Sequence, residues 1–116
     1  PGTSAIITLG LDIGGANLKG ALSTGESLSR PFALWKHPDR LEAEIAEFLD
    51  AWPQSEQVAV TMTGELADCY ATKREGVARI TEAVMRAAGP QRVRVWTTDG
   101  RFLAPYDVDA HWEQVA

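Results

Sequence analysis

The sequence predicts an α/β domain built on a mixed sheet flanked by helices. Three observations carry that reading. Short apolar runs of strand length come first, separated by glycine turn signals; a stretch with helical periodicity follows between Pro38 and Pro53; after it, strand-like and helix-like stretches alternate.

Taken in order, Ile6 to Asp12, Asn17 to Ser23 and Leu28 to Trp35 read as three strands divided at Gly14-Gly15 and Thr24-Gly25, which makes a meander. Pro38-Asp39 opens a helix in which Leu41, Ile45, Phe48, Leu49 and Trp52 recur at helical spacing, with Glu42, Glu44, Glu47 and Asp50 mostly on the solvated side. Pro53 stops it. Gln57 to Thr61 is a valine-rich central strand. Thr63 to Gly89 is helical in character and predicted in two pieces, with Gly64 and Gly76 as weak points and Gly89-Pro90 as the stop. Val77, Ile80, Val84 and Ala88 form the core stripe of the second piece. Val93 to Thr98 is a buried strand, Asp99-Gly100 turns it into Arg101 to Ala104, and His111 to Ala116 reads as the opening turns of a closing helix. The order β-β-β-α-β-α-β, with right-handed crossovers, is the ribonuclease H-like architecture, with helices on the faces of the sheet. Residues 1–116 are expected to form a single domain of this kind.

Composition narrows the function. A chain of 116 residues with 45% hydrophobic and 23% charged content holds one core. A net charge of −5 argues against nucleic acid or an anionic membrane as partner, since both attract basic surfaces. The apolar runs are too short to span a bilayer and Pro1-Gly2-Thr3-Ser4 lacks the charge of a signal peptide, so a cytoplasmic location is expected. Cys69 is the single cysteine, which excludes an intrachain disulfide, and with His37 and His111 it makes no zinc set. Cys69 reads as a small buried residue, because the neighbouring Asp68 disfavours a thiolate. Trp35, Trp52, Trp96 and Trp112 read as core or interface bulk. The missing initiator Met and the abrupt end suggest a fragment.

Two clusters carry chemistry. In Asp12-Ile13-Gly14-Gly15-Ala16-Asn17-Leu18-Lys19 a glycine pair joins two strands, and amides without a Cβ in the way can hold an anionic oxygen. Gly14, Gly15, Asn17 and Lys19 are the candidate phosphate-binding residues. Asp12 is the candidate magnesium ligand and a catalytic candidate, since magnesium prefers carboxylate oxygens and keeps most of its waters. The alternative is an ordinary hairpin turn with a locally bonded Asp. The spacing fits neither the dinucleotide fingerprint nor a P-loop. The second cluster, Thr61-Met62-Thr63-Gly64-Glu65-Leu66-Ala67-Asp68-Cys69-Tyr70-Ala71-Thr72-Lys73-Arg74-Glu75-Gly76, follows the fourth strand and should face the glycine bend. Glu65 and Asp68, three apart, could bind metal, orient an amine or act as a base, while Lys73 and Arg74 could meet a second anion. Thr63 could instead cap a helix whose first turn welcomes Glu65, leaving Lys73 and Arg74 solvated.

With both clusters in view, the chain resembles the hydantoinase/oxoprolinase-like branch of the acetate and sugar kinase, heat-shock chaperone and actin superfamily. More narrowly, it is similar to proteins of the tetrahydromethanopterin-linked one-carbon pathway. Leu9 to Lys19 carries the broad resemblance, Met62 to Lys73 the narrower one, and Trp96-Thr97-Thr98-Asp99-Gly100-Arg101-Phe102 is similar as well. The resemblance implies the N-terminal lobe of a longer two-lobed protein with a ligand cleft between the lobes. It also implies a magnesium-dependent transferase of methanofuran biosynthesis, which joins an aminomethylfuran-methyl diphosphate to gamma-glutamyltyramine through an ether bond and releases diphosphate.

On that reading Asp12, Glu65 and Asp68 are catalytic, Thr63, Gly64 and Lys73 bind substrate, and the partner is a small phosphorylated molecule. Alternatives are an ATP-dependent kinase or a ring-opening hydantoinase or oxoprolinase of the same superfamily, for which ATP is the cofactor, and a noncatalytic interaction domain. The chain stops before the second lobe, so on its own it is expected to be inactive. It is also expected to associate with another copy through surface left exposed.

Overall fold

The computed structural model describes residues 6–64, 67 and 69–116. Its regular elements are β1 (Thr8–Ile13), β2 (Asn17–Leu22), β3 (Ser27–Pro31), α1 (Leu41–Ala51), β4 (Gln57–Met62), α2 (Lys73–Ala88), β5 (Arg92–Trp96) and β6 (Phe102–Leu103). The strands form one sheet in the order β3-β2-β1-β4-β5-β6. β1, β2 and β3 pair antiparallel, β4 joins the free edge of β1 in parallel, β5 follows in parallel, and β6 closes the edge antiparallel. A meander extended by parallel crossovers on the far side of its first strand is the predicted ribonuclease H-like arrangement.

Alternation along the strands sorts the two faces. Leu9, Leu11 and Ile13 share a face by register with Leu18, Leu22, Val58, Val60, Met62, Val93 and Val95, and all are buried. Onto them α1 lays Leu41, Ile45 and Phe48, and α2 lays Val77, Ile80, Val84 and Ala88, with the two helices packed against each other. Gly20 belongs to this face. A Cβ there would stand 2.8 Å from Phe48 and 2.9 Å from Trp52, so glycine is what lets α1 come down onto β2. Among the described residues, both helices flank the sheet on this one face. The opposite face, carrying Gly10, Asp12, Lys19, Ala59 and Thr61, stays open.

Three elements depart from expectation. The third strand ends at Pro31 rather than Trp35, and the Phe32 and Leu34 amides donate instead to the Ala16 and Gly15 carbonyls at 2.9 and 3.0 Å. Buried Phe32 and Leu34 thereby clasp the back of the first bend. The second helix is one piece, starting at Lys73. Thr72 caps it by accepting from the Glu75 amide at 3.1 Å, so Thr-x-x-Glu marks the start, and Gly76 lies buried in the first turns without breaking the helix. Thr72 is the cap of this helix, and the turn considered for Thr63 includes Glu65, which lies outside the described residues. The stop at Gly89 is as predicted, with φ 59°.

The closing segment is not the start of an α-helix. It forms 3-10 turns at Pro105–Asp107 and Asp109–Gln114, then bridges Thr97 through buried Val115. Burying Val115 against the core is what draws the segment onto the sheet. The Asp99-Gly100 turn forms as expected, with Gly100 at φ 81°. Trp52 and Trp112 pack partly buried on the core, whereas Trp35 is exposed and carries the Lys36 ammonium 4.9 Å from its ring, so it is not core bulk.

Candidate functional site

Because β1 and β4 run parallel with Asp12 opposite Thr61 and Ile13 opposite Met62, the loops that leave them emerge side by side. This is the carboxyl edge of the sheet, where ligands bind in open α/β folds. The Thr63 amide donates to the Ile13 carbonyl at 2.9 Å, and the Thr63 hydroxyl lies 3.6 Å from where a Cβ on Gly14 would stand. Gly14 and Gly15 are half-buried, while Ala16, Asn17 and Thr63 are exposed. The bend faces outward beside Thr63.

The amides of the bend differ in their backbone partners among the described residues. The Gly14 N–H is taken by the Asn17 carbonyl at 3.0 Å, which closes the hairpin. The Gly15 and Ala16 amides make no backbone hydrogen bond among the described residues. Two adjacent amides without a backbone partner among the described residues therefore stand at this strand exit, at Gly15 and Ala16, where an anion could meet them.

The glycines at this edge play different parts. A Cβ on Gly15 would meet nothing nearer than Ala67 Cβ at 4.0 Å among the described residues. On buried Gly64 it would strike Leu34 Cδ2 at 2.6 Å and approach the Ile13 carbonyl at 3.2 Å. Gly64 therefore serves packing, because it brings the exit of β4 against the bend.

Asp12 is half-buried on the open face, flanked in register by Lys19 on β2 and Thr61 on β4. Among the described residues neither Asp12 nor Lys19 has an ion pair or side-chain hydrogen bond. Both carboxylate oxygens and the ammonium are therefore available to a ligand. Asn17 opens β2 beside the bend. Lys73 is tied elsewhere, its ammonium donating to the Glu113 carbonyl at 3.0 Å, and Arg74 grips Asp109 through two bonds of 2.9 and 2.6 Å. The candidate bases Glu65 and Asp68 lie outside the described residues.

No cluster of three metal-binding His, Cys, Asp or Glu side chains occurs among the described residues. Magnesium is commonly held by one or two carboxylates together with substrate phosphates, and Asp12 is a carboxylate that could hold it in that way. Tyr70 lies on the helix side, in a pocket with Glu42, Glu75 and Arg79, where it is half-buried and its phenol pKa is pushed up to about 12, by burial first and then by adjacent Cys69. Cys69 is half-buried against the core rather than fully buried. No helix among the described residues is long and apolar enough to cross a membrane.

The chain matches no protein-family model. It is 37% identical over 114 residues to a curated protein of Methanocaldococcus jannaschii, (4-{4-[2-(gamma-L-glutamylamino)ethyl]phenoxymethyl}furan-2-yl)methanamine synthase. That alignment covers 96% of this chain and 33% of the synthase, so the chain spans about a third of the length of the curated relative it matches. Among solved structures, T. thermophilus RuvC in complex with a Holliday junction substrate is similar with a TM-score of 0.48 and 21% identity, over 79% of this chain and 64% of that one. The strand order gives the fold, and sequence shared along nearly the whole of these residues gives the similarity to the methanamine synthase of Methanocaldococcus jannaschii.

Proposed function

We propose that this chain is one lobe of a magnesium-dependent transferase of methanofuran biosynthesis. It would make the aryl ether between an aminomethylfuran-methyl diphosphate and gamma-glutamyltyramine. The observation that carries the reading is the 37% identity to a synthase whose named product contains a phenoxymethyl-furan bridge. The phenolic oxygen attacks the furan methylene carbon, the carbon–oxygen bond to diphosphate breaks with its electron pair leaving on diphosphate, and the phenolic proton passes to a base.

The chain's own residues share these roles. The Gly15 and Ala16 amides, with Lys19 and the Asn17 side chain, hold the departing diphosphate oxygens, and such fixed donors act most strongly where charge develops. Asp12 would hold magnesium at the same edge. When bound, that ion supplies positive charge to the leaving group. Thr63 positions the substrate across the bend from Gly14, and the base is assigned to Glu65 or Asp68. The second lobe implied by the longer relative would close the cleft, and the protein would work in the cytoplasm.

The test is to incubate the full-length polypeptide containing these residues with the furan diphosphate, gamma-glutamyltyramine and magnesium. Diphosphate release matched by ether product is expected, and Asp12→Asn should lower kcat/KM by about a hundredfold or more. No release, or ATP turnover with a hydantoin or sugar acid in its place, overturns the assignment.

A further inference from the structure

The two edges of the sheet are unlike. β6 closes one with only Phe102–Leu103, whereas β3 leaves the other open along Ser27–Pro31, with no strand beyond it among the described residues. The ladder to β2 fixes which way the main-chain groups of β3 point. The Phe32 amide donates to the Ala16 carbonyl and the Leu22 amide to the Glu26 carbonyl, so by antiparallel alternation Glu26, Leu28, Arg30 and Phe32 turn their groups to β2. Ser27 and Ser29 therefore direct N–H and C=O outward, and Pro31, the next outward position, has no N–H to offer. Edge strands are commonly blunted by lysine, proline, a bulge or shortness. Along Ser27–Pro31 that device is Pro31 alone, at the end of the strand.

Laid antiparallel on itself, the segment is self-complementary. Centring the pairing on Leu28 sets Ser27 opposite Ser29 of the second copy, so their outward donors and acceptors satisfy one another and Pro31 falls outside the paired part. Centring it on Ser29 would instead set the Ser27 carbonyl against Pro31, which cannot donate. In the first register Leu28, 41% exposed, meets Leu28 of the second copy as a non-hydrogen-bonded pair with Cα atoms about 4.5 Å apart. Glu26 then stands opposite Arg30 of the second copy, and opposite charges in that relation stabilise a sheet. Both have capacity to spare: Arg30 donates to Glu44 and Glu47 at 3.3 and 3.0 Å through Nη2 alone, and Glu26 accepts from the Thr24 hydroxyl at 2.6 Å through Oε1 alone. There is also room. Because α1 comes down onto β2 beside Gly20, opposite Leu28, the two copies of α1 would stand three strand spacings apart, about 14 Å, which exceeds the helix diameter of about 10–12 Å.

We infer that the free edge of β3 pairs with the same edge of a second copy of this chain, Leu28 against Leu28 on a two-fold axis, with Glu26 of each copy meeting Arg30 of the other. A strand of 5 residues buries less than a standard interface, so the dimer is a weak one, in the micromolar range. The inference is independent of the transferase reading, since its readout is association and not activity.

Sedimentation equilibrium of the full-length polypeptide containing these residues tests it, and a monomer–dimer equilibrium is expected. The axis counts every change twice, so Glu26→Arg and Arg30→Glu should each weaken the dimer by about tenfold or more. An equimolar mixture of the two variants should regain a heterodimer, because unlike charges then face each other at both contacts. If Arg30→Glu fails to fold for want of its bonds to α1, Ser29→Pro carries the test: it removes an outward donor, leaves the ladder to β2 intact, and should keep the fold while abolishing the dimer. On mild oxidation Leu28→Cys should link two copies through the introduced thiols at least about tenfold faster than Ser29→Cys, read by peptide-resolved mass spectrometry. A polypeptide that stays monomeric across the micromolar range overturns the inference. So does a dimer that survives Ser29→Pro and Glu26→Arg, and so does faster linking through Ser29→Cys.

Discussion

Gly10 and Gly20 sit on the neighbouring strands β1 and β2, where Leu11 pairs with Gly20 and Gly10 pairs with Ala21, so the two glycines address opposite faces of the sheet. A methyl on Gly20 would run into Phe48 and Trp52, whereas a methyl on Gly10 would meet nothing nearer than the Ala21 carbonyl at 3.6 Å. On the helix side, glycine is demanded by packing that is already complete. On the other side it leaves room for something else. Asp12 stands on the unfinished face, and the Gly15 and Ala16 amides, without a backbone partner among the described residues, stand at its end, so the groups proposed for chemistry lie where the packing is open.

Large-to-small substitutions should separate the two faces most widely. Phe48 is fully buried under the helices, and Phe48→Ala should cost about 3–5 kcal/mol, whereas Phe102→Ala, at a half-exposed site, should cost less than about 1 kcal/mol in the 116-residue chain. Urea midpoints with unchanged slopes measure both. Similar losses would mean that the two faces are equally packed.

Adding a methyl probes the same contrast from the other direction. Gly20→Ala forces Phe48 and Trp52 aside and should destabilise by about 1–3 kcal/mol, while Gly10→Ala should stay within about 0.5 kcal/mol. The loops repeat the pattern: Gly64→Ala should fall in the costly class because of Leu34, and Gly15→Ala should leave stability nearly unchanged while weakening phosphate binding measured by calorimetry. A fall in stability at Gly15 equal to that at Gly64 would show that the bend is packed rather than open. At the start of α2, Thr72→Ala removes the cap on Glu75 and should cost about 1 kcal/mol in thermal unfolding, with Thr72→Ser restoring most of it.

What the sequence makes legible follows the range of the physics. Periodicity locates β1, β2, α1, β4, β5 and the core stripe of α2, because burial of one face imprints itself on neighbouring residues. The glycine stop at Gly89 and the Asp99-Gly100 turn are equally local. The break expected at Gly76 does not occur because a glycine inside a helix weakens it without ending it, and the Thr72 to Glu75 box that does begin α2 is itself a local signal. Three features depend on partners distant in sequence or on register. Val115 reaches Thr97, Leu34 presses on Gly64, and the Gly14 amide is spent on the Asn17 carbonyl. That both helices choose the same face is likewise a property of the crossovers and carries no mark on any one residue.

The smallest expected effect lies on the finished side, where α2 begins. Arg74 occupies the first turn of the helix, where a cation opposes the helix dipole, and exposed Asp109 of the closing segment answers it with a two-bond grip. The hydrogen bond from Arg74, more than its bare charge, holds the Asp109 carboxyl below the usual carboxylate range. A carboxylate with a depressed folded pKa stabilises above its unfolded pKa, about 3.9, and that stability is lost as pH falls through the folded value. Asp109→Asn should therefore be slightly less stable than the parent at pH 6, and the gap should close below about pH 3 and shrink in 1 M salt, because exposed pairs are screened. If the gap instead persists at low pH and high salt, Asp109 acts through packing of the closing segment on α2. The charge would then be incidental to how the chain's last residues are fastened to the sheet.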